Sequence, residues 1–376
     1  MPITVPQAVP IVVPITVPEW CPSWCPSHCQ GGAHPGAHHS ATGGAHHGAH
    51  PGAHHSARAV PIVVPTSVPR WWPSRWSLPC AGSAHPALAV PTLPPSPAPQ
   101  SVTGTFCPPD SDSAPLSCGL RRGRFLLSDE AFPGSTTTVL ERSPFCPAKR
   151  LGQRPELRLP AELRGRGVAA GVAALLGASS GRLLLTRRAP GLSFPNLWVP
   201  PGGHLEPDEE LLAAALRELE EEAGLRLPAG TFSCRMLGLW ESLYPPKLSL
   251  GLPRHHHIVA YLLLLSSESQ RQLEARMCPR QAEVSAYAWL EPSLLAAIAA
   301  SEQGAQRPRP VPGSLPGTVG ITELSRGSRS SLRVPTETFL RAAPAAGADV
   351  ERVSSGTKFA LRRWQLLGAA APPLAQ

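Results

Sequence analysis

The sequence predicts an α/β protein in which helices cover a sheet, and three observations point there. From about residue 165 onward, strand-like apolar runs alternate with helix-like ones, the pattern of a layered sandwich. One helical run, residues 207–224, gathers Leu211, Leu212, Ala215, Leu216, Leu219 and Ala223 on a single face, as a helix lying on a sheet requires. The first 109 residues, by contrast, hold 22 of the 47 prolines and 10 of the 14 histidines with one acid and three bases. Proline at that density breaks helix and ladder alike, so residues 1–115 are expected to be a disordered, low-complexity head.

Within the head, AVPIVVP at 8–14 recurs at 59–65, and GAHPGAHHSA at 32–41 recurs at 48–57. Repeats that exact point to duplication more than to a solenoid, since Gly-Ala-His-Pro offers no apolar face to bury. Cys21, Cys25 and Cys29 with the nearby histidines offer at most an adventitious metal site. The head is expected to be dispensable. Residues 116–164 read as a small β-rich leader, with alternating apolar residues and a Pro133-Gly134 turn. Two strands follow, about 167–176 and 182–188, joined by a Ser-Ser-Gly turn. Pro207 suits the first position of the helix at 207–224, Asp208, Glu209 and Glu210 suit its positive end, and Gly224 suits its left-handed stop. Residues 231–242, 254–266 and 283–292 are three more strands, and a helix is expected over 293–300. Residues 165–305 thus form the central unit, and 306–376 a basic C-terminal extension with a terminal helix.

No uncharged apolar run reaches the ~18–20 residues of a spanning helix, and the amino terminus lacks the basic start and apolar core of a secretory signal. The default is therefore an intracellular, cytoplasmic protein without a membrane partner. The odd count of nine cysteines fits buried thiols better than a disulfide framework. Cys118 and Cys146 in the leader fit structural thiols better than half of a zinc site.

The formal charge of +8 conceals local differences: residues 1–109, 110–166, 167–299 and 300–376 carry +2, +3, −2 and +5. Residues 206–222 hold eight acids and one base, Arg217. On the helix, Glu218, Glu221 and Glu222 fall within roughly 100° of arc, beside the apolar face. Glu218 and Glu222 repel at i,i+4, and the last acids sit near the negative helix end. A solvated acidic face would interleave lysines or arginines, whereas a bound divalent cation offsets the repulsion directly. Hard carboxylate oxygens select Mg2+ or Mn2+ shared with phosphate oxygens, an arrangement suited to pyrophosphate hydrolysis. Gly202-Gly203 lets the preceding backbone come close to a ligand.

Gly203, five residues, Glu209, seven residues, then Arg217-Glu218-Leu219-Glu220-Glu221-Glu222-Ala223-Gly224-Leu225 match every fixed position of the Nudix box, so the chain resembles the Nudix family. The resemblance implies a Nudix-type α/β/α sandwich with a mixed sheet, and a hydrolase of nucleoside diphosphates linked to another moiety. It implies that Glu218, Glu221 and Glu222 hold the metal, that Glu222 also shares a second metal or acts on water, and that Gly203 ligates through its carbonyl. Arg217 would hold Glu209 and orient the box. The flanks LLLTRRA, SFPNLWVPPGGH, GLPRHHHIVAYLLL and ERVSSGTKFAL look like a vertebrate branch of the family that acts on methylguanosine-capped RNA and releases methylated GDP. A small-molecule diphosphatase for CoA, dinucleotides or nucleotide sugars, and a non-catalytic binding module, are the competing readings. The intact Glu218, Glu221 and Glu222 argue against the latter.

Outside the box, Glu283 precedes a strand where some Nudix enzymes keep a catalytic base on a loop; it is either that base or a surface glutamate. Trp240 and Tyr244 either stack on a purine, whose methylated ring favours aromatic faces, or pack in core and loop. Strand alternation turns at least one of His255, His256 and His257 inward, leaving a base or ligand role open for the others. The basic flanks, +3 and +5, support RNA binding only weakly. Oligomeric state is open.

Overall fold

A computed structural model describes residues 101–108, 110–121, 124–151, 168–301, 313–341 and 350–370. The repeats, the Cys/His cluster of the head and nearly all of its length lie outside the described residues. The elements begin with a short helix α1 (Val102–Phe106), strands β1 (Ser113–Arg121), β2 (Arg124–Ser128) and β3 (Thr136–Arg142), and helix α2 (Ala148–Leu151). Strands β4 (Ala169–Gly177), β5 (Leu183–Arg188), β6 (Leu197–Val199) and β7 (Gly202–His204) lead into helix α3 (Leu211–Ala223). Then come β8 (Phe232–Tyr244), a 3-10 turn (Leu248–Leu250), β9 (His255–Ser266), α4 (Gln270–Arg276), β10 (Val284–Leu290) and α5 (Pro292–Ala300). The hairpin β11 (Thr318–Ser325) and β12 (Ser328–Pro335), helix α6 (Glu337–Leu340), β13 (Arg352–Val353) and helix α7 (Ser355–Ala370) close the chain.

One mixed sheet runs through all of this in the order β12-β11-β10-β5-β4-β9-β8-β3-β1-β2. β4 pairs with β9, and β3 with β8, in parallel; the remaining pairs along this order are antiparallel. Alternation along β4 sets the layers. Ala170, Val172, Ala174 and Leu176 join the core under α3 and α4, with Ala214, Ala215, Leu219, Ala223 and Leu273. Ala173 and Leu175 face the other way, into the core under α5 and α7, with Leu294, Leu295, Ile298, Phe359 and Leu361. The result is helix, sheet, helix, as expected for two buried sheet faces.

Several expectations change. The stretch 101–115 is not all head: α1 docks on the body and β1 begins at Ser113. Its short apolar residues are carried by long-range contacts, Val102 and Cys107 being buried. The terminal helix expected in the C-terminal extension is present as α7, and among the described residues of that extension β11 lies along β10, β13 along β6, and α7 packs into the second core layer. The strands read at 167–176 and 182–188 are present, but β4 and β5 pair only at Gly177 and Leu183. Helix α3 begins at Leu211, four residues later than the local signals place it. Pro207 and Asp208 form a turn, with Asp208 at φ 59°.

The five cysteines among the described residues are free, with Cys107, Cys118 and Cys146 buried and Cys234 and Cys278 exposed. Burial pushes the Cys118 and Cys146 thiols up to about 12, which suits inert packing. Among the described residues no helix is long and apolar enough to cross a membrane.

Candidate active site

Two glycines seat the box helix against the sheet, each for a different reason. Strand β7 lies on β4 with Val172 opposite Gly203 and Ala173 opposite Gly202. A Cβ on Gly202 would stand 2.3 Å from the carbonyl oxygen of Val172, and one on Gly203 would stand 2.4 Å from Oε1 of Glu218. The first glycine therefore lets two backbones approach; the second makes room for a carboxylate. The Gly203 carbonyl oxygen is turned toward Gly171 on β4, 2.9 Å from where a Cβ there would stand. Helix α3 ends on Gly224 at φ 67°, whose N–H returns to the carbonyl of Glu220, the left-handed stop that glycine makes cheaply.

Arg217 ties the two ends of the box together. Its Nε donates to Glu209 Oε1 at 2.8 Å and its Nη2 to Glu209 Oε2 at 2.9 Å, a two-pronged pair. Nη2 also donates to the His204 carbonyl, and Nη1 to Glu218 Oε1 at 2.8 Å. The hydrogen bond from Arg217 holds the Glu209 carboxyl below the usual carboxylate range. The same fork explains the late helix start, since Glu209 accepts from Arg217 and from the Glu206 N–H and its carboxylate closes the turn ahead of the helix.

Glu218 and Glu222 are buried, whereas the Glu221 side chain is about two-fifths exposed. The sequence placed all three at the edge of the apolar face; two have gone inside it. Burial first, then the charges of Glu218 and Glu283, push the Glu222 carboxyl up to about 8, against a partial offset from Arg188 and from the Gly202 N–H that it accepts. Burial likewise raises Glu218, with Arg217 opposing and Glu221 and Glu283 adding. Two desolvated carboxylates one turn apart carry a cost that protonation or a positive partner relieves.

Glu283 is held near them by the loop that follows α4. Cys278 N–H donates to the Ala223 carbonyl and Arg280 N–H to the Glu222 carbonyl, fastening the loop to the end of α3. The Glu283 carboxylate accepts from Arg280 Nη1 at 2.9 Å. Its charge acts on both Glu218 and Glu222, so Glu283 belongs to the same electrostatic group.

Among the described residues, no three His, Cys, Asp or Glu side chains already stand together as a cation cage. Arg217 occupies one oxygen of Glu218, and Glu221 is partly exposed, 3.6 Å from Arg217 Nη1. The chemistry of the donor set nevertheless fits a hard divalent cation: three carboxylates, two of them buried and each lacking a full counter-charge.

The two aromatic candidates separate. Trp240 is 3% exposed, packed 5.4 Å from the Phe359 ring in the core under α7, and presents no face for a base. Leu237, Tyr261 and Phe359 in that core claim it, so of its two readings packing holds and stacking is corrected. Tyr244 stays half-buried, edge-on to Phe194 at 4.1 Å. Phe194 and Asn196 hold φ near 60°, the left-handed region that a bulky residue such as Phe rarely enters. The carbonyl of Ser193, just ahead of Phe194, accepts from Arg188 Nε, and Arg188 is the base whose charge reaches Glu222. Neither Phe194 nor Arg188 has a local motif; the φ of Phe194 is visible only in the fold.

The histidines divide as alternation requires. His256 Nε2 meets the buried Glu241 carboxylate at 2.8 Å. His257 lies 5.9 Å from both His204 and His255, ring centre to ring centre. Burial, then the neighbouring imidazoles, push His257 down to about 4, and burial followed by Arg188 lowers His204. These two rings are therefore neutral at neutral pH.

The Nudix domain family matches residues 165–311. A human protein named m7GpppN-mRNA hydrolase NUDT17 is 54% identical over 265 residues, covering 69% of this chain and 80% of the human one. The Danio rerio protein of that name is 47% identical over 267 residues, 70% of this chain and 88% of its own. Among solved structures, a MutT/nudix family protein from Enterococcus faecalis aligns at 16% identity over 59% of this chain and 70% of its own, with a TM-score of 0.31. With relatives this similar over most of their length, and every fixed position of the box present, the chain belongs to the Nudix family.

Proposed function

We propose that the chain is a divalent-cation-dependent pyrophosphohydrolase whose substrate is methylguanosine-capped RNA, cleaved to release methylated GDP. The family generally works with divalent metals such as Mg2+ or Mn2+. The observation that carries the reading is the pair of buried carboxylates, Glu218 and Glu222, with raised proton affinities beside a glycine turn. At neutral pH a bound cation would offset the cost of that pair and keep both carboxylates ionised. The relatives named as mRNA-cap hydrolases support the substrate.

In this reading Glu218, Glu221 and Glu222 hold the cation with the Gly203 carbonyl, and Arg217 keeps Glu218 and Glu209 in register. A cation bound there supplies Lewis-acid charge to the pyrophosphate and lowers the pKa of water. Glu222 or Glu283 takes the proton from the attacking water. The water oxygen forms the new bond to phosphorus, the bridging P–O bond breaks, and the leaving phosphate keeps the bonding pair. Arg188 balances charge at the rim, and Tyr244 with Phe194 offers an aromatic edge to the base.

The test is Glu221→Gln and Glu222→Gln assayed for Mg2+- and Mn2+-dependent hydrolysis, with circular dichroism to establish that each variant folds. Wild-type turnover in both would end the metal assignment. Capped RNA, CoA, NADH and diadenosine polyphosphates compared at equal concentration test the substrate; capped RNA ranking last would end that part.

A further inference from the structure

We infer that a basic pocket beside the cleft binds the phosphodiester chain of an RNA substrate. The inference deepens the reading above and rests on it for the identity of the chain. A cavity of about 490 Å3 opens between the segment 144–150 and the turn at Leu248–Leu250, lined in part by Phe145, Lys149, Arg150 and Lys247. The segments 144–150 and 245–254 together contain the bases Lys149, Arg150, Lys247 and Arg254 and no acid. Lys149 is held by Asp112 at 2.8 Å, but Asp112 is shared with Arg142. Arg150 and Lys247 are exposed, and among the described residues neither has an ion pair. The pocket therefore keeps a net positive charge next to a half-buried phenyl ring.

Its position relates it to the box. Tyr244, whose ring meets Phe194, ends β8, and Lys247 follows three residues later, within about 10 Å of chain. From Phe194 a series of ring contacts returns through His255 and His257 to His204, next to Gly203 at the head of the box. A single loop thus has the aromatic edge of the cleft at one end and the basic pocket at the other. A small diphosphate occupies only the first. A polymer that repeats a negative charge at every unit reaches both, and cationic side chains beside one aromatic platform are how single strands are held without sequence preference. The contrast with the acidic box is also informative: acids gather where a cation and the reacting phosphates meet, bases where only the chain passes.

The experiment uses the full chain carrying Arg150→Glu and Lys247→Glu, with Arg150→Gln and Lys247→Gln as the milder pair should charge reversal unfold the protein. In one arm, binding of uncapped single-stranded RNA of roughly 20 nucleotides is followed by fluorescence anisotropy in a Glu222→Gln background. The dissociation constant should rise about tenfold, and the slope of log affinity against log salt should fall by about 1.4, two phosphate contacts at roughly 0.7 each. In the other arm, kcat/KM for a capped RNA of that length, divided by kcat/KM for a cap dinucleotide, should fall about tenfold in the active chain. RNA binding that is unchanged in slope and affinity, or two substrates that decline in step, overturns the pocket. If capped RNA is not hydrolysed at all, the proposed function fails while the binding arm still decides the pocket.

Discussion

Removing residues 1–100 and removing residues 1–108 should have opposite outcomes, although the second deletion is only eight residues longer. Glu241 is 1% exposed, and its carboxylate accepts from Ser101 Oγ at 2.7 Å, Val102 N–H at 2.7 Å and Thr103 N–H at 2.9 Å, besides His256. The longer deletion removes the first three and leaves a buried charge with one partner. Hydrogen bonds to a charged group contribute about 1.5–3 kcal/mol each. Because such neighbours do not add and water enters the gap, about half the sum, roughly 3–4 kcal/mol, is the reasonable figure. Losing the buried side chains of Val102 and Cys107 adds about 1–2 kcal/mol. The total, about 5 kcal/mol, is a large fraction of the 5–15 kcal/mol typical of a folded protein. Urea unfolding followed by tryptophan fluorescence measures it: the 1–100 deletion should melt with the full chain, and the 1–108 deletion should lose much of its stability. Glu241→Gln adds a control, since it should destabilise the shorter deletion yet partly rescue the longer one by removing the stranded charge. Coincident midpoints for the two deletions would refute the reasoning.

Three further outcomes follow from particular contacts. Burial alone would raise the Glu241 carboxyl, but the hydrogen bond and charge of His256, with hydrogen bonds from Thr103 and Ser101, outweigh it and hold it down at about 2 from 4.5. The stability this represents is present above the unfolded value and is lost as pH falls from about 4.5 toward 2. It amounts to roughly 3 kcal/mol, and thermal melts between pH 7 and 3 should flatten over that window in Glu241→Gln. Gly203→Ala should displace the Glu218 carboxylate by about 1 Å and lower activity and apparent metal affinity with a small change in melting. Gly202→Ala meets the Val172 carbonyl instead and should destabilise the fold by several kcal/mol; equal effects on activity and melting in the two would contradict the separate roles. Trp240→Ala should cost about 3–5 kcal/mol of stability, whereas Tyr244→Ala should raise KM for capped RNA with little loss of stability, as measured by steady-state kinetics and thermal melts.

What the sequence reveals about this molecule is set by how local each determinant is. The box is legible because its partners are fixed by spacing along a single turn and helix. Arg217 is eight residues from Glu209 and adjacent to Glu218, and the carboxylates recur at helical period. The same locality misleads at the start of α3. Proline and three acids at 207–210 satisfy every rule for a first helical turn, yet Glu209 is claimed by Arg217 and closes a turn outside the helix. Rules for helix ends count which residues suit the dipole and say nothing of a better partner two turns on. Glu241 lies at the other extreme. In LGLWES it is one polar residue of a strand, and besides His256 the groups that make its burial tolerable lie about 140 residues earlier, at the margin of a stretch whose composition argues against any fold. Low-complexity composition describes a window and therefore blurs its own edge: Ser101 to Cys107 share the texture of the head while belonging to the body. The acids thus separate by kind. Those of the box are written as a local excess because a cation from outside must find them together. The acid that anchors the N-terminal edge of the fold stands alone in sequence, because the chain itself supplies its partners.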